Sequence, residues 1–246
     1  MTLNHHFWQR VFEKDFAPQL REIVDALDRR VLPGFDGIEA EAQAHSEELW
    51  NEITSLPGTG DEDLSDFAEA AQEAGVDRYM LLDGIRQGIV NLFAASLYHA
   101  FEQQVISFLR KELLHPAEAN DPQLFGIHEF RKRLLNHGID VAALESWTVI
   151  DELRIVANTV KHAEGKSAQK LHELRPDFFR QAGFPELGEW VIRRKPRVFQ
   201  PLVGKDLYVE PKDIRAYLAS LMQFWDELWK AMDRFDQPHG QLRRDD

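Results

Sequence analysis

Cysteine does not occur in the 246 residues. Its absence removes disulfides and thiolate metal sites and is compatible with a reducing compartment. Long apolar runs are missing as well: nowhere do about 18 apolar residues follow one another, so no membrane-spanning helix and no membrane partner are expected. The opening stretch MTLNHHFWQRVFEKDF carries no apolar core of a secretory signal, and the expected setting is cytoplasmic. Basic charge is in short supply, with 29 Lys and Arg against 42 Asp and Glu and a net charge of −13. That balance argues against a protein that coats nucleic acid by neutralising phosphates. A local RNA site remains compatible with it, and RRKPR at 193–197 is one candidate, with a solvated loop as the plain alternative. Signatures of common chemistries are missing too. Gly204-Lys205 lacks the glycine spacing of a phosphate-binding loop, and no serine nucleophile elbow is present. No cofactor is expected.

What is present is helical periodicity and bulk. Hydrophobic residues make up 43% of the chain, with 16 Phe and 6 Trp, enough for a sizeable core. The pattern predicts an all-α fold. Residues 5–15 and 18–31 read as helices broken near Pro18, and 37–55 as a third. LPGTGDED at 56–63 reads as an acidic loop. Asp63 or Ser65 caps a short helix ending at Gly75, and a long helix follows over 77–114, stopped by Pro116. Gly84 and Gly88 in it allow a close helix approach. Helices are expected over 122–136, ending at His137-Gly138, and over 142–164, with a helical turn at 167–174. FQPLVGKDLYVEP alternates apolar and polar residues, which suggests a small β-hairpin at about 198–210. The last helix, 212–236, places Ile214, Tyr217, Leu221, Phe224, Trp225 and Leu228 on one face. The domain reading is an N-terminal helical elaboration (1–75), a helical bundle with the hairpin (76–236) and a flexible tail (237–246).

The chemistry-bearing feature is LRIVANTVKHAEG at 153–165. Each helical residue turns by about 100°, so positions four apart drift by only about 40°. Arg154, Asn158 and His162 therefore form a polar line, with Asp151 beside them and Leu153, Val156 and Val160 facing the core. Asparagine is a poor helix former, so its place here points to a specific partner. Histidine exchanges a proton near neutral pH, and arginine offers a planar fork suited to phosphate. A second polar line lies in the long helix, where His99 and Glu102 are neighbours. With Leu97, Phe101 and Val105 opposite, that helix reads as central and these two groups as buried. The expectation is that the two helices pack antiparallel and bring His99, Glu102, Asn158 and His162 into one cluster, each supplying the other's hydrogen-bond partners.

Paired long helices with a terminal polar–Asn–x–x–x–His stretch closing at a glycine resemble the HEPN family of helical domains. Asn158 and His162 match the polar residue and histidine of its motif; Ala157 stands at the arginine position, and Arg154 is the nearest arginine. The resemblance covers about 80–164 plus the last helix. It implies a metal-independent ribonuclease or RNA-binding component of a toxin or defence system, with a composite site across a homodimer. His162 is then a general base or acid, Arg154 a phosphate ligand, Asn158 an orienting group and Glu102 a partner that sets a histidine tautomer. The other class is a non-catalytic module for dimerisation or for a protein partner, in which Asn158 and His162 stitch helices together. A third alternative joins His99, Glu102 and His162 around a metal ion, and His172 is a further possible neighbour of the site.

Overall fold

The computed structural model describes residues 4–57, 63–181 and 197–240. The described chain is all-α. It opens with α1 (His5–Val11), passes through a π turn at Phe12–Phe16 into α2 (Ala17–Ala26), and ends in a second π turn at Leu27–Val31. The expected break at Pro18 does not occur. The first π turn closes with the Ala17 N–H donating to the Phe12 carbonyl. This wider turn accommodates a ring that lacks an N–H and would otherwise press on the preceding carbonyl.

α3 (Ile38–Ser55) and α4 (Leu64–Phe108) follow, and α4 extends as a π turn over Leu109–Leu113. The predicted helix end at Gly75 is corrected: α4 runs straight through it. A Cβ at Gly75 would lie 2.9 Å from the Ser46 Cβ, so this glycine serves the contact with α3 and not a stop. The boundary drawn between 75 and 76 thus falls inside one helix. After a loop come α5 (Ile127–Asn136), α6 (Trp147–His162), α7 (Lys166–Leu174) and α8 (Pro211–Gly240). α8 carries helix into the predicted tail as far as Gly240; residues 241–246, and 193–196 of RRKPR, lie outside the described residues.

Pair contacts give the helix directions. Phe101 meets Phe224, and Phe108 meets Trp229, so α4 and α8 run parallel. Ser146 bonds Glu227 and Tyr217 bonds Glu152, so α6 runs against α8. α4 and α6 are therefore antiparallel, as expected. The α1–α2 stretch also opposes α8, since Phe12 touches Trp229 while Asp28 pairs with Arg215. Trp8, Phe12 and Leu20 belong to the same core cluster as Phe101, Phe108 and Trp225. The first thirty-odd residues are thus part of the bundle's interior, not an addition to its outside.

The hairpin expected at 198–210 is not found: among the described residues there is no strand. Pro201–Val203 is a 3-10 turn, and the segment is a strap over α4. Its backbone groups bond to side chains and to a loop where a hairpin would pair them with a facing strand. Asn91, fully buried, donates to the carbonyls of Pro201 (2.7 Å) and Leu207 (2.8 Å) and accepts from the Val209 N–H (3.3 Å). Asp206 accepts from the Phe199 and Gln200 N–H groups, and Tyr208 donates its N–H to the Phe178 carbonyl at 2.8 Å. A methyl at Gly88 would collide with the Leu202 carbonyl. The close approach foreseen for this glycine is made by the strap, not by a helix.

Candidate functional site

α6 turns one side to the core and one to a recess. Ile150, Leu153, Val156, Ala157 and Val160 are buried, which fixes the helix's rotation and aims Arg154 and Asn158 toward α4. The recess has a volume of about 750 Å³ and lies between α4 and α6. His99, Glu102, Arg154 and Asn158 all line it, so four of the five expected site residues come together.

His162 does not. It is exposed at the C-terminal end of α6 and is not among the residues lining the recess. Lys161 takes its place. The reason is angular: seven positions return a helix to within about 20° of the start, whereas eight carry it about 80° round. Lys161 therefore stands nearer the Arg154 line than His162 does. The expectation of buried His99 and Glu102 also needs correction. Their side chains are 67% and 32% exposed, with 3.7 Å between the His99 Nδ1 and the Glu102 carboxylate. Among the described residues no helix covers this face of α4, so it forms the rim of the recess where a dry interior was expected.

The deeper wall was not foreseen. Tyr98 is only 6% exposed, and its hydroxyl has no hydrogen-bond partner among the described residues. Burial raises its phenol above the ordinary value, the Glu102 carboxylate adds to this, and Arg154 opposes it. A sequence signal existed: Tyr98 precedes Glu102 by four positions and so shares its side of the helix. The carboxamide of Asn158 and the ammonium of Lys161 also lack partners among the described residues. Arg154, by contrast, is held. Its Nη2 lies 2.7 Å from Asp151, whose other oxygen takes Lys170 at 3.2 Å. Burial works to raise the Asp151 carboxyl, yet the Arg154 hydrogen bond and charge, with Lys170, hold it below the usual carboxylate value. Apolar contact surface comes from Leu92, Ala95, Ala100, Ala157 and Ile127.

The side chains that do stitch helices together are elsewhere. Arg175 donates to Glu152 (2.8 Å), Asp177 (2.7 Å) and Asp213 (3.0 Å), and Tyr217 donates to Glu152 at 2.6 Å. His172 packs edge-on against Phe179, 5.0 Å between ring centroids, and is not part of the recess lining. Among the described residues no group of three or more metal-ligating side chains is gathered, so the metal alternative finds no ligand set there. Nor, among them, is any helix long and apolar enough to cross a membrane.

The α4–α6 recess thus sets polar groups without partners among the described residues beside small apolar side chains. No protein-family model, curated protein or solved structure matches the chain, and the site is read from its own chemistry.

Proposed function

We propose that the chain is a HEPN-like helical protein that binds RNA in the α4–α6 recess, and that one chain alone binds without cutting. The observation that carries this reading is the pair of polar groups, unpartnered among the described residues, that line one recess: the Asn158 carboxamide and the Lys161 ammonium. Asn158 is half-buried and Lys161 exposed, so both are open to a ligand that enters the recess. Lys161 provides a cationic donor for phosphate. Cleavage within one chain lacks support, because His162 stands outside the recess and Arg154 already carries Asp151 as its counter-ion.

The test is fluorescence anisotropy of a single-stranded RNA with the intact chain at low salt, alongside a cleavage assay. Binding is expected, weakened about ten-fold or more by Lys161→Ala, with no cleavage above that of His162→Ala. Absence of RNA binding overturns the reading. Cleavage that disappears in His162→Ala replaces it with the ribonuclease, whose site then needs a second copy.

A second reading rests on a different observation. Leu81, Ile85 and Leu92 are exposed on one side of α4, at 55%, 44% and 49%. Apolar surface of this kind favours a module for dimerisation or for a protein partner. Solution mass separates the two: a strict monomer removes the homodimer.

A further inference from the structure

Resting on the RNA reading above, we infer that a single RNA strand continues from the α4–α6 recess along α4 to a second recess, where Arg110 and Lys111 take its phosphates. The second recess has a volume of about 430 Å³ and is lined by Gln103, Ile106, Ser107, Arg110, Lys111 and the Ala119–Asn120 loop. Gln103 also lines the first recess, so the two adjoin. Ser96, His99, Gln103, Ile106 and Arg110 follow at steps of three and four and so share one side of the helix.

The charge of this path is opposite to that of the chain. Its lining holds Arg154, Lys161, Arg110 and Lys111 against Glu102, within a chain of net charge −13. Arg154 is neutralised by Asp151, but the other three cations are not neutralised among the described residues. Lys111, like Lys161, has no partner there. Arg110 donates to the Ala119 carbonyl and the Asn120 side chain, which carry no charge. The carboxylates on either side, Glu112 and Glu118, are engaged by Trp8 and Arg133. The groove between α4 and the strap has the reverse balance, Asp77, Asp83 and Asp206 against Lys205. A polyanion is therefore favoured on the first path and repelled from the second.

The path also has a length. Arg154 stands close enough to Tyr98 to act on its phenol. Lys161 lies two turns further along α6 and, the helices being antiparallel, two turns back along α4, near Leu92. From Leu92 to Arg110 the helix rises about 27 Å. At a stacked spacing of about 3.4 Å, that takes about eight nucleotides. A trinucleotide fills the first recess alone.

The test is anisotropy of oligouridylates of three and ten nucleotides with the intact chain over a range of salt. Extra binding registers raise a decamer's affinity without steepening its salt dependence, so the slope is the readout. Each phosphate-bound cation adds about 0.7 to it. The decamer's slope is expected to exceed the trimer's by about 1.4. Lys111→Gln is expected to take away about 0.7 of that and to weaken the decamer about five-fold at low salt. Lys205→Gln makes the same change in net charge on the strap groove and is expected to leave the decamer's binding as it was. Equal slopes for the two lengths, or a slope unmoved by Lys111→Gln, overturn the path while RNA in the first recess stands. A loss in Lys205→Gln as large as in Lys111→Gln overturns it too, since charge then acts without a place. A decamer whose slope depends on Lys111 and not on Lys161 removes the first recess and the path together. A deca-aspartate that matches the decamer in affinity and slope makes the occupant an acidic protein segment and overturns the strand. No binding by either oligonucleotide removes both readings.

Discussion

The α3–α4 hairpin and the helical bundle are built from the same long helix but by opposite means. Between α3 and the first turns of α4, Ala42 and Ala71 are the buried apolar side chains among the described residues, joined by the contact of Gly75 with Ser46. An ion pair between Arg78 and Glu41 lies across the same interface. Further along α4 the partners are Trp8, Phe224, Trp225 and Trp229, packed about Phe101 and Phe108, all five or fewer percent exposed. The first interface depends on close backbone approach, the second on area removed from water. Small side chains bury little area, so the hairpin has less to lose on opening and more to lose on any added atom. The recess begins where one regime gives way to the other, at Leu92 and Ala95.

Phe108→Ala is the strongest way to break this contrast. Phe108 is fully buried against Trp8, Phe130, Trp225 and Trp229. Its truncation is expected to cost about 3–5 kcal/mol, measured by urea unfolding, and to lower protection from hydrogen exchange everywhere. Gly75→Leu comes next. Overpacking is expected to cost about 1–3 kcal/mol and to raise exchange in α3 and the start of α4 alone. If it lowers the global transition as Phe108→Ala does, hairpin and bundle are one cooperative unit and the contrast is wrong.

Much of the bundle was legible because its residues are large and periodic. Tyr217, Leu221, Phe224, Trp225 and Leu228 form the buried face of α8 as their spacing predicts, and Leu97, Phe101 and Val105 do so in α4. The hairpin with α3 was not. Gly75 reads as a helix end until the neighbour that forbids a Cβ is known. The strap failed for a related reason. Alternation at 198–210 reports which side chains face inward, but not whether the backbone bonds to a strand or, as here, to the Asn91 carboxamide. Pairing is long-range information. In the site, the meeting of Arg154 and Asn158 with His99 and Glu102 followed from helix geometry. Lys161 and Tyr98 were missed, the first by choosing a step of eight over seven, the second because tyrosine reads as core.

Smaller effects sharpen the comparison on the bundle side. Ala163, directly after α6, sits at φ 53° and ψ −120°, a conformation open to glycine and strained for other residues. Ala163→Gly is expected to stabilise the bundle by about 1 kcal/mol, raising the melting temperature by roughly 2–4 °C, while exchange in α3 stays as it was. A fall in melting temperature places the strain elsewhere.

The smallest effect expected is confined to acid. Arg133 donates to Glu118 at 2.9 and 3.1 Å and to Glu129 at 2.6 Å, pinning the loop before α5 to the helix. Hydrogen bonds from the Arg133 guanidinium, helped by the His115 backbone N–H, bring the Glu118 carboxyl from its usual 4.5 down to about 2, and Glu129 is lowered by the same arginine. A carboxylate held below its unfolded value contributes stability that is complete above that value and is lost as pH falls through the folded one. The contribution is therefore whole above about 4.5 and gone near 2. Glu118→Gln removes this acid dependence, so the difference between variant and wild type in urea midpoint is expected to shrink steadily as pH falls across that window. Because the hairpin contact relies on Ala42, Ala71 and Gly75, its exchange rates, corrected for the intrinsic effect of pH, are expected to stay level over the same range. Parallel loss in both regions would mean that acid acts through net charge on the whole chain and not through this one guanidinium.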